Sequence, residues 1–403
     1  MFTNLTYARA PLAAVWFLLL AAAGAQAADR QYPGVPADFL RQPDQIPEFW
    51  VGSVDEVNRF LSTGIHKGNV TVLGATAGGQ AIRMVAYGTP RQGKGTSTFS
   101  GSLGFGDARV YFGPDYGKKV YMTIGGVHGG EFEGIVGIVN LLSVLETGQD
   151  LRGRKWPEIT EAAKALDRII LVPIVNLDGR ARIPLRMMAH RGKDFFVHEY
   201  WNTGGRLDGK LLGWPQVKEF IPLDFTKTQF PGGYPNDAGV NVQHDDFFSA
   251  RRQPETQALL DLTASERPDL ILNMHTGAQF IQPLRPFVEP VLMPTWEALY
   301  RQVRTRLALE GLQASSDPAK VADPARERMS PYNLDTALNL NCGALSFVVE
   351  SPSHNFSTST RDGKSFVHTP DDLVTAHLLT HLEAMKFLAQ TGGRARWTAK
   401  PKK

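Results

Sequence analysis

A histidine and a glutamate three residues apart could begin a metal site in this sequence. His128 and Glu131 lie in the stretch TIGGVHGGEFEG, between an apolar run that ends at Ile124 and a second one that follows Glu131. Imidazole nitrogens and carboxylate oxygens bind Zn²⁺, and a catalytic zinc site uses three protein ligands and keeps one position open. The spacing is common by chance, so the pair needs a third ligand.

Two more reactive side chains directly follow apolar runs. His275 comes after Asp269–Met274, and Glu350 comes after Ala344–Val349. His275 completes a three-ligand set for one Zn²⁺ per chain. Glu350, which is not needed as a ligand, can then act as the general base for a water molecule that the zinc activates.

Other residues compete for these roles. Glu133 is a rival to Glu131 as the carboxylate ligand, although its position suits a charge at the start of a helix. His377 and His381 have the i,i+4 spacing of helical zinc motifs but lack the glutamate after the first histidine, so they are interpreted as structural. The remaining candidates lie in predicted loops and could line the crevice, but nothing in the sequence selects them: His190, His198 and His354.

The elements that must position these side chains are strands alternating with helices. Four apolar runs predict buried strands, namely Val120–Ile124, Arg168–Val175 and the runs before His275 and Glu350. Such alternation predicts an α/β fold with a mixed, mostly parallel sheet. Because strand ends line the ligand crevice of open α/β sheets, the reactive side chains are expected to meet there.

Three further segments bear on the architecture. Residues 91–117 are rich in Gly and Ser and are predicted to form a surface loop, and the stretch 190–240 is rich in Gly, Pro and aromatic residues. A loop as long as the second is more often functional than idle. The last helix is predicted to begin after Thr369 and to end before Gly392.

The two ends of the chain predict its location. Residues 1–28 contain a short apolar core followed by Ala-Gln-Ala, which is typical of a secretory signal peptide, so a periplasmic or secreted protein is expected. Residues 29–47 are interpreted as an N-terminal leader, 48–392 as one catalytic domain, and 393–403 as a solvated basic tail. No stable membrane insertion is expected after signal cleavage.

The composition argues against a nucleic-acid-binding protein and against sites built from cysteines. A net charge of +3 in 403 residues offers no electrostatic basis for binding nucleic acid. Cys342 is the only cysteine, so neither an internal disulfide nor a cysteine-based metal cage can form.

An ordered set of motifs resembles the zinc metallocarboxypeptidase family of the carboxypeptidase A type. GGVHGGEFEG is similar to its His-x-x-Glu zinc motif, VPIVNLDGRAR to its Asn-Pro-Asp-Gly turn with Leu177 in place of proline, and QPETQALLDL to a family helix start. LNMHTG and FVVESP match the third ligand and the base. The resemblance covers about residues 48–390. It implies a twisted sheet with helices on both faces and cleavage of C-terminal residues from peptides, or of other amides in related branches.

The resemblance also implies roles for further residues. The family arginine that polarises the scissile carbonyl corresponds to Arg191, with Arg186 as a competitor, and a family tyrosine corresponds best to Tyr332. The family's Asn-Arg pair, which holds the terminal carboxylate of the substrate, is replaced by Gln243 and His244 in GVNVQHDDF.

This replacement leaves the anchor for the substrate open. An arginine is always charged and binds a carboxylate through two parallel hydrogen bonds, whereas a histidine near neutral pH does neither. Either Arg251 or Arg252 supplies the charge, or the substrate lacks that carboxylate.

The sequence therefore predicts an exported zinc-dependent metallopeptidase of the carboxypeptidase type, acting on a peptide or amide substrate. The alternative is a zinc-dependent deacylase or amidohydrolase that cleaves a small N-acyl compound. A binding module without activity is disfavoured, because neither a ligand nor the base is missing.

Overall fold

The computed structural model describes residues 35–189, 195–218, 222–353 and 359–397. Four features of the sequence analysis lie outside the described residues: the signal peptide, His190, Arg191 and His354.

A mixed sheet of seven strands forms the centre of the fold. Its strands in chain order are β1 (Asn69–Ala75), β2 (Ala81–Gly88), β3 (Val120–Gly125), β4 (Arg168–Val172), β7 (Leu270–Thr276), β8 (Gln282–Pro283) and β9 (Leu345–Ser351). Two short pairs lie apart from it: β5 (Gly205–Arg206) with β6 (Thr228–Phe230), and β10 (Ser359–Arg361) with β11 (Lys364–Phe366).

The order across the large sheet is β1-β2-β4-β3-β7-β9-β8. Strands β3, β4, β7 and β9 are parallel neighbours. The outer strands β1, β2 and β8 pair antiparallel. The prediction of a mixed α/β sheet is confirmed, and the four predicted buried strands are its four parallel strands.

Helices pack against this sheet in two groups. The helices are α1 (Val54–Thr63), α2 (Phe99–Phe105), α3 (Arg109–Phe112), α4 (Phe132–Thr147), α5 (Pro157–Lys164), α6 (Leu177–Arg182), α7 (Phe195–Thr203), α8 (Pro254–Glu266), α9 (Met293–Leu309), α10 (Leu334–Cys342), α11 (Pro370–Thr391) and α12 (Arg394–Trp397). Helix α11 contacts α4, α5 and α9, whereas α8 and α10 contact each other.

Burial on both sides explains why the parallel strands are continuously apolar. Every residue of β3, β4 and β7 is buried, as expected for strands covered by helices. Helix α4 is buried over nearly its whole length. Its Gly134 allows close packing on β7, because a Cβ there would lie 2.8 Å from Cβ of Met274.

Helix α11 has the ends that the sequence predicts. Thr369 caps its N-terminus in a capping box with Asp372, and Gly392 ends it in a left-handed conformation. The two histidines on α11 are fully buried. His381 Nδ1 lies 2.7 Å from Tyr121 Oη, and His377 packs against Gly137 of α4, which agrees with a structural interpretation of both.

Three segments differ from the predictions, and one of them is the predicted loop at 190–240, which contains α7, β5 and β6. The predicted loop at 91–117 contains α2 and α3, because Phe99 and Phe112 are buried there. The prediction of a solvated tail is wrong for its described part: Arg394 of α12 is buried, and its N–H donates to Asp269 at 2.7 Å.

Within the described part of the chain, no helix is long and apolar enough to cross a membrane.

Candidate metal centre

The turn between β3 and α4 carries the first two candidate ligands, and its glycines are required by close backbone approach. A Cβ on Gly129 would overlap the backbone of Arg180 at α6. A Cβ on Gly130 would lie 2.7 Å from Oδ1 of Asn202 at α7. The two glycines therefore let α6 and α7 pack against the turn.

The third ligand candidate and the candidate base are neighbours in the sheet. His275 near the end of β7 pairs with Glu350 near the end of β9 in the parallel register. The strand after His275 then turns through Gly277, whose small size leaves room for the carboxylate: a Cβ there would lie 3.1 Å from Glu350 Oε2.

Three side chains converge at this edge of the sheet. His128 Nδ1 lies 2.8 Å from Glu131 Oε1, and His275 Nδ1 lies 2.8 Å from Glu131 Oε2. The two Nδ1 atoms are 3.1 Å apart. All three residues are at least 96% buried, with exposed fractions of 4%, 2% and 2%.

This donor set fits a zinc ion. Two nitrogens that bind the same Zn²⁺ at about 2.0–2.1 Å in a tetrahedral site lie slightly more than about 3 Å apart. The distance between the Nδ1 atoms of His128 and His275 is close to this value. The three residues could therefore hold a metal ion.

Neighbouring polar groups orient the candidate ligands. Asn241 Oδ1 lies 3.2 Å from His128 Nε2 and accepts the Gln243 N–H at 3.0 Å. Because Oδ1 is an acceptor, it places the His128 proton on Nε2 and leaves Nδ1 available for a metal. Tyr234 stacks on the His128 ring with centroids 3.6 Å apart.

Glu131 is held from both sides. Asn202 Nδ2 donates to its Oε1 at 3.3 Å, and the Thr276 N–H donates to its Oε2 at 3.2 Å. Its rival Glu133 lies in the first turn of α4, where its Oε2 accepts a hydrogen bond from Thr276 Oγ1 at 3.0 Å.

Burial and nearby charges give the two carboxyl groups of the centre different pKa values. Burial acts to raise the pKa of Glu131, but the charges of His128 and His275 outweigh it and lower that pKa far below 4.5. Burial, followed by repulsion from Glu131, raises the pKa of Glu350 to about 7. One carboxylate therefore stays ionised beside the histidines, while the other can exchange a proton near neutral pH.

The histidines respond differently to the same surroundings. Burial lowers the pKa of His128, and Glu131 offsets this only in part. For His275, burial also acts to lower the pKa, but Glu131 outweighs it and raises the pKa to about 9.

A cavity of about 850 Å³ adjoins Glu350, and we call it the Glu350 cavity. Its lining includes Glu199, whose pKa is raised to about 7 by burial and then by the charge of Glu131. Other residues that line it include Asn202, Trp214, Tyr234, Gln282 and Arg304.

Gln243 and His244, the residues at the expected carboxylate anchor, have contacts with other parts of the protein. Gln243 is buried, where its Nε2 donates to Asp335 at 3.1 Å and its Oε1 accepts from Asn273 at 3.0 Å. The ring centroid of His244 is 6.5 Å from that of Trp214. Neither Gln243 nor His244 is among the described residues that line the Glu350 cavity.

Tyr332 and the two candidate arginines form a separate group. Tyr332 contacts the rings of Phe247 and Phe248, with centroids 5.7 and 6.0 Å away. Arg252 Nη1 donates to the carbonyl oxygen of Phe247 at 3.0 Å. Arg251 is exposed and forms an ion pair with Asp246, in which Nη2 and Oδ2 are 2.9 Å apart. None of these lines the described part of the Glu350 cavity.

Two other polar residues, Arg186 and Asp178, have structural contacts. Arg186, the competitor of Arg191, pairs with Glu56 of α1 at 2.5 Å. Asp178, which follows the fourth strand, accepts hydrogen bonds from Gly78 N–H at 2.7 Å and Asp237 N–H at 3.1 Å. Asp178 therefore connects two loops.

Four residues at the centre or in the Glu350 cavity belong to no motif of the sequence: Asn202, Glu199, Tyr234 and Arg304. The first three belong to the stretch 190–240, whose unusual length was the only signal. Arg304 lies on α9 in a segment with no functional pattern.

Comparison with known proteins places these observations in a family. Residues 67–310, more than half of the chain, match the zinc carboxypeptidase family. A metallo-carboxypeptidase from Burkholderia cenocepacia shares the fold with a TM-score of 0.51 and 16% identity, over 84% of this chain and 70% of that one. Carboxypeptidase A from Helicoverpa armigera aligns with a TM-score of 0.47 and 14% identity, over 86% and 74%. No curated protein matches the chain.

Proposed function

Because the chain belongs to the zinc carboxypeptidase family, we propose that it hydrolyses a peptide bond at the centre formed by His128, Glu131 and His275, with Glu350 as general base. The observation that carries the proposal is the convergence of the two Nδ1 atoms and one carboxylate directly beside Glu350 and its cavity. The chain is a zinc metallocarboxypeptidase-like hydrolase, and the roles of the individual residues are the proposal.

The three ligands are proposed to hold one Zn²⁺ per chain. Zn²⁺, when bound, supplies a Lewis acid that polarises the substrate carbonyl and makes water more acidic. Ionised Glu131 supplies the negative charge that such an ion needs. Asn241 and Asn202 keep His128 and Glu131 in position through the contacts described above.

Glu350 is proposed to take the proton from the attacking water and to pass it to the leaving nitrogen. Its pKa of about 7 suits both steps, because the carboxylate is present near neutral pH and its conjugate acid can still donate. Its Oε2 is buried without a hydrogen-bond partner among the described residues, so its lone pairs remain available.

Export is a further part of the proposal. The apolar segment within residues 1–28 supports a signal peptide and a periplasmic or secreted location, and residues 48–392 are proposed as the catalytic domain. N-terminal sequencing of the protein from the culture medium and the periplasmic fraction tests this. A chain that keeps residues 1–28 and stays inside the cell would contradict it.

A deacylase or amidohydrolase is the second candidate. The observation that favours it is that the Gln243 amide forms hydrogen bonds with Asn273 and Asp335. This amide therefore does not serve to bind a terminal carboxylate of the substrate, which is the role expected at this position from the family. Such an enzyme would cleave a small N-acyl compound and would not require a peptide.

A substrate panel separates the two candidates. The zinc-loaded protein is assayed with blocked dipeptides that have free or amidated C-termini and with N-acetyl and N-succinyl amino acids. Cleavage of the dipeptides supports a peptidase, and cleavage of the N-acyl amino acids alone supports a deacylase. Absence of any hydrolysis across the panel, with zinc bound, would contradict both.

A further inference from the structure

Arg304 is a buried cation in the wall of the Glu350 cavity. It lies on α9, is only 5% exposed, and is the only cationic residue among the described residues that line the cavity. Two acidic residues, Glu199 and Glu350, line the same cavity. A buried charge is unfavourable unless it is paired, so the contacts of this guanidinium are informative.

Those contacts leave much of the guanidinium unused. Its Nη1 donates to the carbonyl oxygen of Ile281 at 3.1 Å and lies 3.4 Å from Gln282 Oε1, and its Cζ lies 5.7 Å from the ring centre of Tyr300. Nε is buried without a partner, and none of the described carboxylates forms an ion pair with Arg304. Glu327, which accepts a hydrogen bond from Tyr300 Oη, acts on it only at longer range.

The cross-strand register sets its position relative to the base. Gln282 on β8 is the antiparallel partner of Glu350 on β9. Paired residues in antiparallel strands have Cβ atoms about 5 Å apart and point to the same face. Because Gln282 also contacts Arg304, the guanidinium lies one side chain away from Glu350.

We propose that Arg304 binds a carboxylate of the substrate in the Glu350 cavity and is the specificity-determining cation of this enzyme. The carboxylate is either the free C-terminus or an acidic side chain next to the scissile bond. A guanidinium with free donors offers the paired hydrogen bonds that a carboxylate takes. The inference rests on the proposed function, because the scissile bond is placed at Glu350.

The test measures binding without turnover. In the Glu350→Gln background, calorimetry compares a blocked dipeptide with a free C-terminus, its C-terminal amide, and the amide that carries glutamate as its last residue. At least one anionic probe is expected to bind tenfold or more tightly than the neutral amide, which corresponds to about 1.4 kcal/mol. Adding Arg304→Met should bring this ratio close to one and leave affinity for the neutral amide unchanged.

Two further variants make the result specific. Arg306 lies on the same helix and forms ion pairs with Glu158 and Glu310. The Arg306→Met variant should keep the full ratio of anionic to neutral probe affinity. Arg304→Lys keeps the charge but loses the fork, so the ratio should fall at least threefold. If Arg304→Met does not fold, the lysine variant decides alone.

Either of two outcomes overturns the inference: equal binding of anionic and neutral probes to the parent, or an unchanged ratio in the Arg304 variants. Failure of the proposed function is recognised separately, as binding with the expected ratio and no hydrolysis by the protein with Glu350 intact. The two anionic probes also distinguish a terminal carboxylate from a side-chain carboxylate.

Discussion

Single residues at the centre differ in role because their neighbours differ. Glu131 lies between two imidazoles, which favour its ionised form, whereas Glu350 faces the negative charge of Glu131, which favours its protonated form. Both carboxyls are largely removed from water, so local charge decides between them. These differences suit Glu131 to its proposed role as a ligand and Glu350 to its proposed role as a base.

Replacing a proposed ligand should remove the metal. His275→Ala deletes one of the two converging Nδ1 atoms, and we expect the zinc content to fall from near one ion per chain to less than about a tenth of that. Elemental analysis after dialysis measures this. His66→Ala, on an exposed histidine, serves as control. Full zinc retention in His275→Ala would remove His275 from the proposed ligand set.

Replacing the proposed base should spare the metal. Glu350→Gln keeps the shape of the side chain and removes its basicity, so turnover should fall about 10²-fold or more while zinc stays bound. Glu199→Gln changes the other acidic residue of the cavity and should cost less. If Glu199→Gln were the more damaging of the two, the assignment of the base would pass to Glu199.

The acid side of the pH profile should report Glu350. A base must be deprotonated, so kcat/KM should decrease tenfold per pH unit below the pKa of Glu350. Burial and Glu131 raise this pKa from 4.5 to about 7, and the charge of a zinc ion acts in the opposite direction. We therefore expect the midpoint between pH 4.5 and 7. The residual activity of Glu350→Gln should not show this decrease at acid pH. The same decrease in that variant would mean that a group other than Glu350 causes it.

At the level of elements, strand register and backbone proximity build the site. Pairing of β7 with β9 places His275 beside Glu350. The glycines of the His-Gly-Gly-Glu turn let the backbones of α6 and α7 come close enough to contribute Asn202. The turn is therefore glycine-rich because other parts of the chain approach it.

A methyl group in this turn should destabilise the protein. In Gly129→Ala the new Cβ overlaps the Arg180 backbone, and overpacking of this kind costs about 1–3 kcal/mol. Urea unfolding of the metal-free protein measures the free energy. Gly104→Ala, in an open position on α2 with no atom within 4 Å of the new Cβ, should be neutral or stabilising. A Gly129→Ala protein within about 0.5 kcal/mol of wild type would show that the turn can move aside.

Across the whole molecule, the C-terminal segment closes the end of the sheet opposite the site. Asp269, just before β7, accepts hydrogen bonds from the Val120 N–H at 2.8 Å and the Arg394 N–H at 2.7 Å. The Arg394 side chain pairs with Glu289 and donates to the carbonyl oxygen of Gly343 at 2.6 Å. Residues far apart in sequence are thereby held together at the start of two central strands.

Loss of this connection should lower stability without affecting the metal. Arg394→Met removes charged hydrogen bonds worth about 1.5–3 kcal/mol, and urea unfolding should show a decrease of that size. Arg396→Met, on the exposed side of α12, is the control. Equal stability of the two variants would mean that the tail contributes little, and loss of zinc in Arg394→Met would indicate damage beyond this end of the sheet.

Much of the centre could be predicted from local sequence alone. His128, Glu131, His275 and Glu350 each follow a run of apolar residues that is long enough to be a buried strand, and strand ends meet at one edge of a parallel sheet. The cap residues of α11 could also be predicted from the sequence, because Thr369 and Gly392 act within one turn of the helix. These features depend on neighbours in sequence, so the sequence by itself determined them.

Only the tertiary structure decided which other residues reach the centre. Tyr234 lies in an irregular segment, Asn202 and Glu199 lie on the short helix α7, and Arg304 lies on the partly buried helix α9. Gln243, next to the Asn241 that orients His128, turns instead towards Asp335. Their positions depend on how distant backbones pack, and long-range packing reflects the summed free energy of many contacts that no short stretch of sequence encodes.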